Sequence, residues 1–198
     1  MNKTTIALTL EQYKEIITTM REGFTGCRPN DRIATALMLE ANLGLRISDI
    51  LRLRLNDIVK DGDRYRLAII EQKTGKRRAI RVNKDLKKHI EDCYKALGSP
   101  ASNEPIFLSR LGTVYSREWV NMRLKEYKVK YRLSIKSYSS HSHRKTFGRH
   151  IVERAGADAE KALIKLSEIF SHSSCEITRR YLGLKAEEIG EVYESLDF

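Results

Sequence analysis

The sequence predicts a mainly α-helical domain with a small antiparallel β-sheet, an α+β fold. Apolar residues recur at helical spacing over most of the chain. One region instead alternates apolar and polar residues, at Tyr65, Leu67 and Ile69, as strands do. With 198 residues, the chain is long enough to bury a sizeable core as one domain.

The charge of the chain is strongly basic. Lysine and arginine outnumber aspartate and glutamate by 37 to 26, which gives a net charge of +11. Such an excess favours a polyanionic partner, most often nucleic acid, although a basic protein without such a partner is the alternative. Basic residues concentrate in 73–88 and 123–149, whereas 187–198 carries acids and no base. We expect the two basic stretches to face DNA.

The spacing of the cysteines and the hydropathy pattern indicate the cellular compartment of the protein. Cys27, Cys93 and Cys175 are widely spaced and form no CxxC pair, which argues against disulfides and a zinc site. No apolar run has the length of a membrane span, and no signal-peptide pattern opens the chain. These features predict a cytoplasmic protein that binds no membrane.

The first elements are predicted to be helices. Helical spacing with Thr9 as a cap predicts a helix that ends near Glu22. Residues 33–43 are too apolar for a surface helix and predict a central one, which Gly44 ends as a C-terminal glycine. Ser48 is expected to start a short helix.

A β-hairpin is predicted next. Apolar and polar residues alternate over 65–69, which predicts one strand, and residues 79–82 predict the strand that runs back beside it. Lys73-Thr74-Gly75-Lys76 lies between them as the hairpin tip. Residues 57–60 are a candidate third strand. A lysine at such a tip is ordinarily just solvated.

The remaining chain returns to helical spacing. A helix is expected at 84–97, and a second one is capped by Ser116. A third begins near Ser140 and ends before Gly156, and Ser173 or Ser174 caps a short helix that carries Tyr181.

Two arginines lie where an anion could bind. Arg46, between Leu45 and Ile47, needs a partner if it is buried. That partner is either an acid in an internal ion pair, for instance Asp49 or Asp57, or a bound anion. His141 and Arg144 are three residues apart, on one face of a helix whose N-terminus favours phosphate.

Tyr181 follows two arginines and comes nine residues after His172. Nearby positive charge favours the phenolate, which makes this tyrosine a candidate nucleophile. An ordinary surface helix is the alternative.

Together these segments resemble the catalytic domain of the tyrosine recombinase family, the phage integrases and their relatives. The resemblance rests on residues 44–51, 73–76, 141–147, and 172–174 with Tyr181, and it covers about residues 8–184. It implies the DNA breaking-rejoining fold of that domain and a site-specific recombinase that forms a 3′-phosphotyrosyl intermediate on double-stranded DNA.

The resemblance assigns six catalytic residues and implies neither a metal nor a cofactor. Two arginines would stabilise the phosphate charge, and the hairpin lysine would protonate the leaving 5′-oxygen. One histidine would shuttle the proton of the nucleophile, and the other would donate to the phosphate. In chain order the residues are Arg46, Lys73, His141, Arg144, His172 and Tyr181.

Some positions depart from the family pattern. Ser171 stands where glycine is usual, and His143 stands where an apolar residue is common. The helical stretch between Asp158 and His172 is about one turn longer than usual.

Residues 1–198 are predicted to form a single catalytic domain. The separate helical DNA-clamping domain of most relatives does not precede it, which suits either a trimmed piece or a short family member. The tail 184–198 has an apolar pattern at Leu184, Ile189, Val192 and Leu196. It is expected to dock on a neighbouring subunit of a homo-tetramer on DNA, or on its own domain.

Two other functions stay open on the sequence. A type IB topoisomerase uses similar residues to nick and reseal one strand. A DNA-binding regulator with the same fold would lack one or more of the catalytic residues, and none is missing here.

Overall fold

The computed structural model describes residues 5–23, 25, 26, 28–109, 111–135, 137–185, 187, 193 and 194. Over these residues it has eight α-helices and one three-stranded sheet. None of the helices there has the length and hydropathy to cross a membrane. The elements are α1 (Leu10–Glu22), α2 (Asp31–Leu43), α3 (Ile47–Ile50), β1 (Ile58–Asp61), β2 (Arg64–Ile70), β3 (Arg77–Val82), α4 (Lys84–Ala96), α5 (Arg117–Lys130), α6 (Ser140–Ala155), α7 (Ala159–Phe170) and α8 (Cys175–Leu182).

The helices begin and end close to the predicted signals. Thr9 and Gln12 cap α1 reciprocally, each side chain accepting from the other's backbone N–H. Gly44 ends α2 with φ +61°, in the left-handed region that suits glycine. The start of α3 was predicted one residue too late, because the helix begins at Ile47 and Ser48 lies inside it.

The sheet is antiparallel in the order β1-β2-β3, with Ile58 opposite Leu67 and Tyr65 opposite Val82. The backbone N–H of Glu71 donates to Lys76 O at 2.9 Å and closes the hairpin tip at the predicted place. Leu67 and Val82 are buried, so one face of the sheet covers the core.

Two hydrophobic clusters organise the helices. The larger one surrounds α2, whose Ala34, Leu37 and Leu39 are fully buried, and it also takes in the inner face of the sheet. The smaller one joins α6, α7 and α8 through Phe170 and Leu182.

The core also contains polar groups. His143 is fully buried, and its Nε2 lies 2.8 Å from the Tyr138 hydroxyl. Burial lowers the pKa of His143 to about 3, so the imidazole is neutral. Glu40 is fully buried too, and burial raises the pKa of its carboxyl well above the usual range. Burial therefore favours the protonated form of Glu40 more than in an exposed glutamate.

Of the predicted tail, Leu184 lies against the smaller cluster. Ile189, Val192 and Leu196 lie outside the described residues.

Gly44→Ala is expected to destabilise the fold more than Gly75→Ala. Both glycines have φ near +60°, where a Cβ costs roughly 1–2 kcal/mol. A Cβ at Gly44 would also overlap the Phe147 ring, whereas at Gly75 it would meet nothing within 4 Å. Overpacking adds about 1–3 kcal/mol at Gly44. Urea unfolding of both variants measures the difference, and equal losses would contradict this packing argument.

His143→Leu is expected to make stability less dependent on pH. The unfolded histidine titrates near pH 6.5, well above the folded value of about 3. Between these values the unfolded state binds more protons, so stability is full above pH 6.5 and falls as the pH is lowered. The loss at pH 5 is about 2 kcal/mol.

Urea unfolding at pH 7 and pH 5 measures this contribution. His150→Gln, an exposed position on the same helix, is the control and should keep the slope of the unmodified protein. A slope unchanged by His143→Leu would show that His143 is not the buried neutral group described here.

Candidate functional site

Arg46 and Arg144 converge on one backbone oxygen. Arg46, at the start of α3, donates from Nη2 to Phe170 O at 3.3 Å. Arg144, on α6, donates from Nη2 to the same oxygen at 3.2 Å, and its guanidinium lies 4.7 Å from the Phe170 ring centre. The two side chains therefore form a pair of cations at the C-terminus of α7, as an anion site requires.

Glu71 is the ion-pair partner of Arg46, in place of the predicted Asp49 or Asp57. Its Oε2 accepts from Arg46 Nη1 at 2.9 Å, and its side chain is 2% exposed. Burial acts to raise the pKa of Glu71, but hydrogen bonds from Thr74 and Arg46 and the charges of Arg46 and Arg78 outweigh it. The net pKa is lowered, so Glu71 is a carboxylate.

Sequence reasoning missed Glu71. The signal in the sequence was an acid directly after the apolar strand residues 67–70 and before a run of basic residues. Asp49 has a different function from the predicted one, since its Oδ1 accepts from the backbone N–H of Gln72 at 2.8 Å. Glu71 and Asp49 together fix the base of the hairpin.

Tyr181 lies in the last turn of α8, which Ser174 caps through the N–H of Ile177. Its ring contacts His172 edge-on at 5.2 Å between centroids, and Lys145 Nζ lies 4.9 Å from its centre. The hydroxyl is buried and has no hydrogen-bond partner among the described residues.

The sequence predicted that nearby positive charge lowers the pKa of Tyr181, and the direction of that shift was wrong. Burial raises the pKa of Tyr181 well above that of a free tyrosine, and this outweighs the charges of Arg144 and Arg46, which lower it. Tyr181 is therefore a neutral phenol in this structure. Its location beside both arginines agrees with the prediction.

His172 follows the C-terminus of α7, and its Nδ1 lies 2.9 Å from Thr178 Oγ1. Burial lowers its pKa to about 4, with further lowering by the charges of Arg144, Arg46 and Lys73. The imidazole is therefore neutral at pH 7, and one nitrogen remains for a ligand.

His141 lies in the first turn of α6. Burial lowers its pKa, and so do the charges of several cations, Arg144 first among them. Its Nδ1 is buried without a partner in the part of the chain that is described. A neutral histidine in this place can accept a proton.

Lys73 is exposed at the tip of the β2–β3 hairpin, as predicted. Its charge contributes to the lowered pKa of His172, after burial and the charges of Arg144 and Arg46. Within the described residues, His, Cys, Asp and Glu side chains form no group of three or more that could hold a metal ion. The structure thus brings Arg46, Arg144, His172 and Tyr181 together around Phe170. The assignment of Lys73 and His141 to the same site stays a prediction.

A model of the phage integrase family matches residues 7–188. The chain is 31% identical over 157 residues to the probable integrase/recombinase YoeC of Bacillus subtilis strain 168, covering 77% of this chain and 78% of YoeC. It is 28% identical over 151 residues to the tyrosine recombinase XerC of Pelobacter propionicus, covering 76% of this chain and 47% of that protein. The chain thus spans about half the length of this XerC relative.

Two solved structures are similar in fold. One is the XerH site-specific recombinase in a post-cleavage complex with a palindromic difH substrate, with a TM-score of 0.67 and 18% identity over 98% of this chain and 55% of XerH. The other is a lambda integrase dimer bound to a COC′ core site, with a TM-score of 0.66 and 18% identity over 92% of this chain and 49% of that one. The predicted recombinase catalytic-domain fold is confirmed, and the chain belongs to the phage integrase family.

Proposed function

We propose that this chain is the catalytic domain of a site-specific DNA recombinase, which cleaves and rejoins duplex DNA through a 3′-phosphotyrosyl intermediate without a metal. One observation carries the proposal: the guanidinium groups of Arg46 and Arg144 meet at Phe170 O, beside the ring of Tyr181. The site thus has a nucleophile and a double cation in one place.

The paired arginines suit the charge that develops on phosphorus. A phosphodiester carries one negative charge and gains a second one when the tyrosine oxygen attacks. Two guanidinium groups that are already fixed stabilise this charge without reorganising during the reaction. In this proposal they perform the charge neutralisation that metal ions perform in other enzymes.

The nucleophile must lose its proton during the attack. Tyr181 is neutral because burial keeps its pKa high. His141, neutral as well, accepts the proton as the oxygen–phosphorus bond forms. His172 Nδ1 pairs with the Thr178 hydroxyl, and in this proposal the tautomer that carries its proton on Nε2 donates to a phosphate oxygen.

The bond between phosphorus and the 5′-oxygen breaks as the new bond forms. The departing 5′-oxygen is strongly basic and takes a proton from Lys73, which the hairpin delivers. Rejoining reverses these steps, with a 5′-hydroxyl attacking the phosphotyrosine.

Duplex DNA is the proposed partner, in keeping with the net charge of +11. The XerH and lambda integrase structures are DNA complexes, and the second contains a dimer. We extend this to a homo-tetramer on two synapsed sites, with the tail after Leu184 docking on a neighbouring subunit. The tail begins on the domain itself, where Glu187 Oε2 accepts from Arg149 Nη1 at 2.5 Å.

Tyr181→Phe is expected to abolish covalent attachment to DNA. On a nicked suicide duplex the unmodified protein should form an adduct that survives denaturing electrophoresis, because the released 5′ fragment diffuses away. The variant lacks the attacking oxygen and should form none, while its DNA affinity stays within about twofold. Tyr193→Phe, an exposed tyrosine, is the control and should react normally. Adduct formation by Tyr181→Phe would refute the assignment.

Lys73→Ala is expected to slow cleavage by about 10²–10⁴-fold, the usual value of general acid catalysis. DNA affinity should change little, since one phosphate contact among many is lost. Replacing the bridging 5′-oxygen by sulfur creates a leaving group that needs no proton, so the variant should then cleave almost normally.

Arg144→Ala is the matched control and should show no rescue by sulfur, because its charge acts on the non-bridging oxygens. Single-turnover cleavage of both substrates measures these rates. If Lys73→Ala stays slow on the sulfur substrate, Lys73 only binds, and Lys76 becomes the candidate acid.

A further inference from the structure

Glu71 is the most heavily hydrogen-bonded acid near the site, and the proposed chemistry does not use it. Its Oε2 accepts from Arg46 Nη1 at 2.9 Å and from Thr74 Oγ1 at 2.7 Å. Its Oε1 accepts from Arg78 Nη1 at 3.2 Å. A carboxylate that is 2% exposed and has charged partners on two sides holds those partners firmly.

The hairpin closes on Glu71. The backbone N–H of Glu71 donates to Lys76 O, and Glu71 O accepts from the N–H of Gly75, each at 2.9 Å. The Thr74 hydroxyl, next to Lys73, donates to the Glu71 side chain. The conformation of the hairpin tip therefore depends on where the Glu71 carboxylate is fixed.

Ser171 ties Glu71 to a second segment. Its hydroxyl lies 3.4 Å from both oxygens of the Glu71 carboxylate. Arg78 Nη1 lies 3.2 Å from Ser171 Oγ and 3.1 Å from Glu168 O. These contacts join the hairpin to the C-terminus of α7, directly before His172.

The backbone conformation at Ser171 favours glycine over serine. Ser171 has φ +55° and ψ +42°, a left-handed conformation that glycine adopts without strain. Glycine could not make either side-chain contact, with Glu71 or with Arg78. The Ser171 hydroxyl thus adds its contacts with Glu71 and Arg78 to the one that Arg78 makes with Glu168 O. A strained backbone that carries such contacts points to a functional role.

We propose that Glu71, Arg78 and Ser171 form a clasp that fixes the hairpin over the site and thereby positions Lys73 for proton donation. The clasp joins the strand ends at the base of the hairpin to the turn that precedes His172. Glu71, Arg78 and Ser171 are positioning residues and do not touch the reacting atoms. The catalytic part of this inference rests on the proposed function.

Lys73 needs such positioning because it is exposed at a hairpin tip. A long side chain on a mobile loop spends little time in any one geometry, and a displacement of about 1 Å can lower a rate on the order of 10²-fold. Fixing the hairpin backbone at Glu71 restricts the volume that the ammonium group samples. Loosening the clasp should therefore impair proton donation by Lys73 more than it impairs phosphate binding.

Ser171→Gly is the cleanest test, since it relieves the left-handed backbone and so leaves no reason for the protein to unfold. Arg78→Gln removes the charge from the same clasp. Ser99→Gly is the matched control, because Ser99 is exposed, also has positive φ, and lies in the loop after α4. Single-turnover cleavage is measured with oxygen and with bridging-sulfur substrates, and amide hydrogen exchange is measured at Glu71, Gly75 and Lys76.

Both clasp variants should cleave the oxygen substrate about tenfold more slowly or worse, and the sulfur substrate at nearly the unmodified rate. Their hairpin amides should exchange at least about tenfold faster, whereas Ser99→Gly should behave as the unmodified protein. Unchanged exchange at the hairpin would overturn the clasp. Equal slowing on both substrates would overturn its action through Lys73.

The two proposals fail in different ways. If the unmodified protein forms no adduct at Tyr181, the proposed function fails. The exchange measurement would still decide whether Glu71, Arg78 and Ser171 hold the hairpin, since it needs neither DNA nor catalysis.

Discussion

Two like charges held side by side are the constraint on which the site depends. Arg46 and Arg144 would repel each other, and each needs an acceptor that does not occupy the space intended for a ligand. Phe170 O accepts from both, and it lies at the C-terminus of α7, where the helix dipole is negative. Glu71 neutralises Arg46 from the opposite side. The two guanidinium groups are thus held in place by Phe170 O and by the Glu71 carboxylate.

The two hydrophobic clusters explain why this pair stays in place. The larger cluster fixes α2 and α3, and hence Arg46, while the smaller one fixes α7 and α8 against α6. Phe147, on α6, packs on the smaller cluster and also lies against Gly44, at the end of α2. Site residues that are far apart in sequence are therefore joined through one continuous packed body, as electrostatic preorganisation requires.

The sequence was sufficient for most elements, because caps, helical spacing and the hairpin signal are local. The partner of Arg46 could not be predicted in this way. The Arg46–Glu71 ion pair depends on the register of β2 and β3, which decides where the strand end meets α3. The sign of the Tyr181 pKa shift was also out of reach, since it depends on burial that tertiary packing creates. Ser171 was recognised as a departure, but only the structure gives its hydroxyl a contact.

Under the proposed function, the raised pKa of Tyr181 has a consequence for the reversibility of strand exchange. A phenol that resists ionisation is a weak nucleophile, and its phenolate is, for the same reason, a reluctant leaving group. Both directions of the reaction then need a proton transfer at the same oxygen, so the group that removes the proton must also return it. In the proposed reaction, the covalent intermediate would therefore release its phosphate only when an acid and an incoming hydroxyl are both in place.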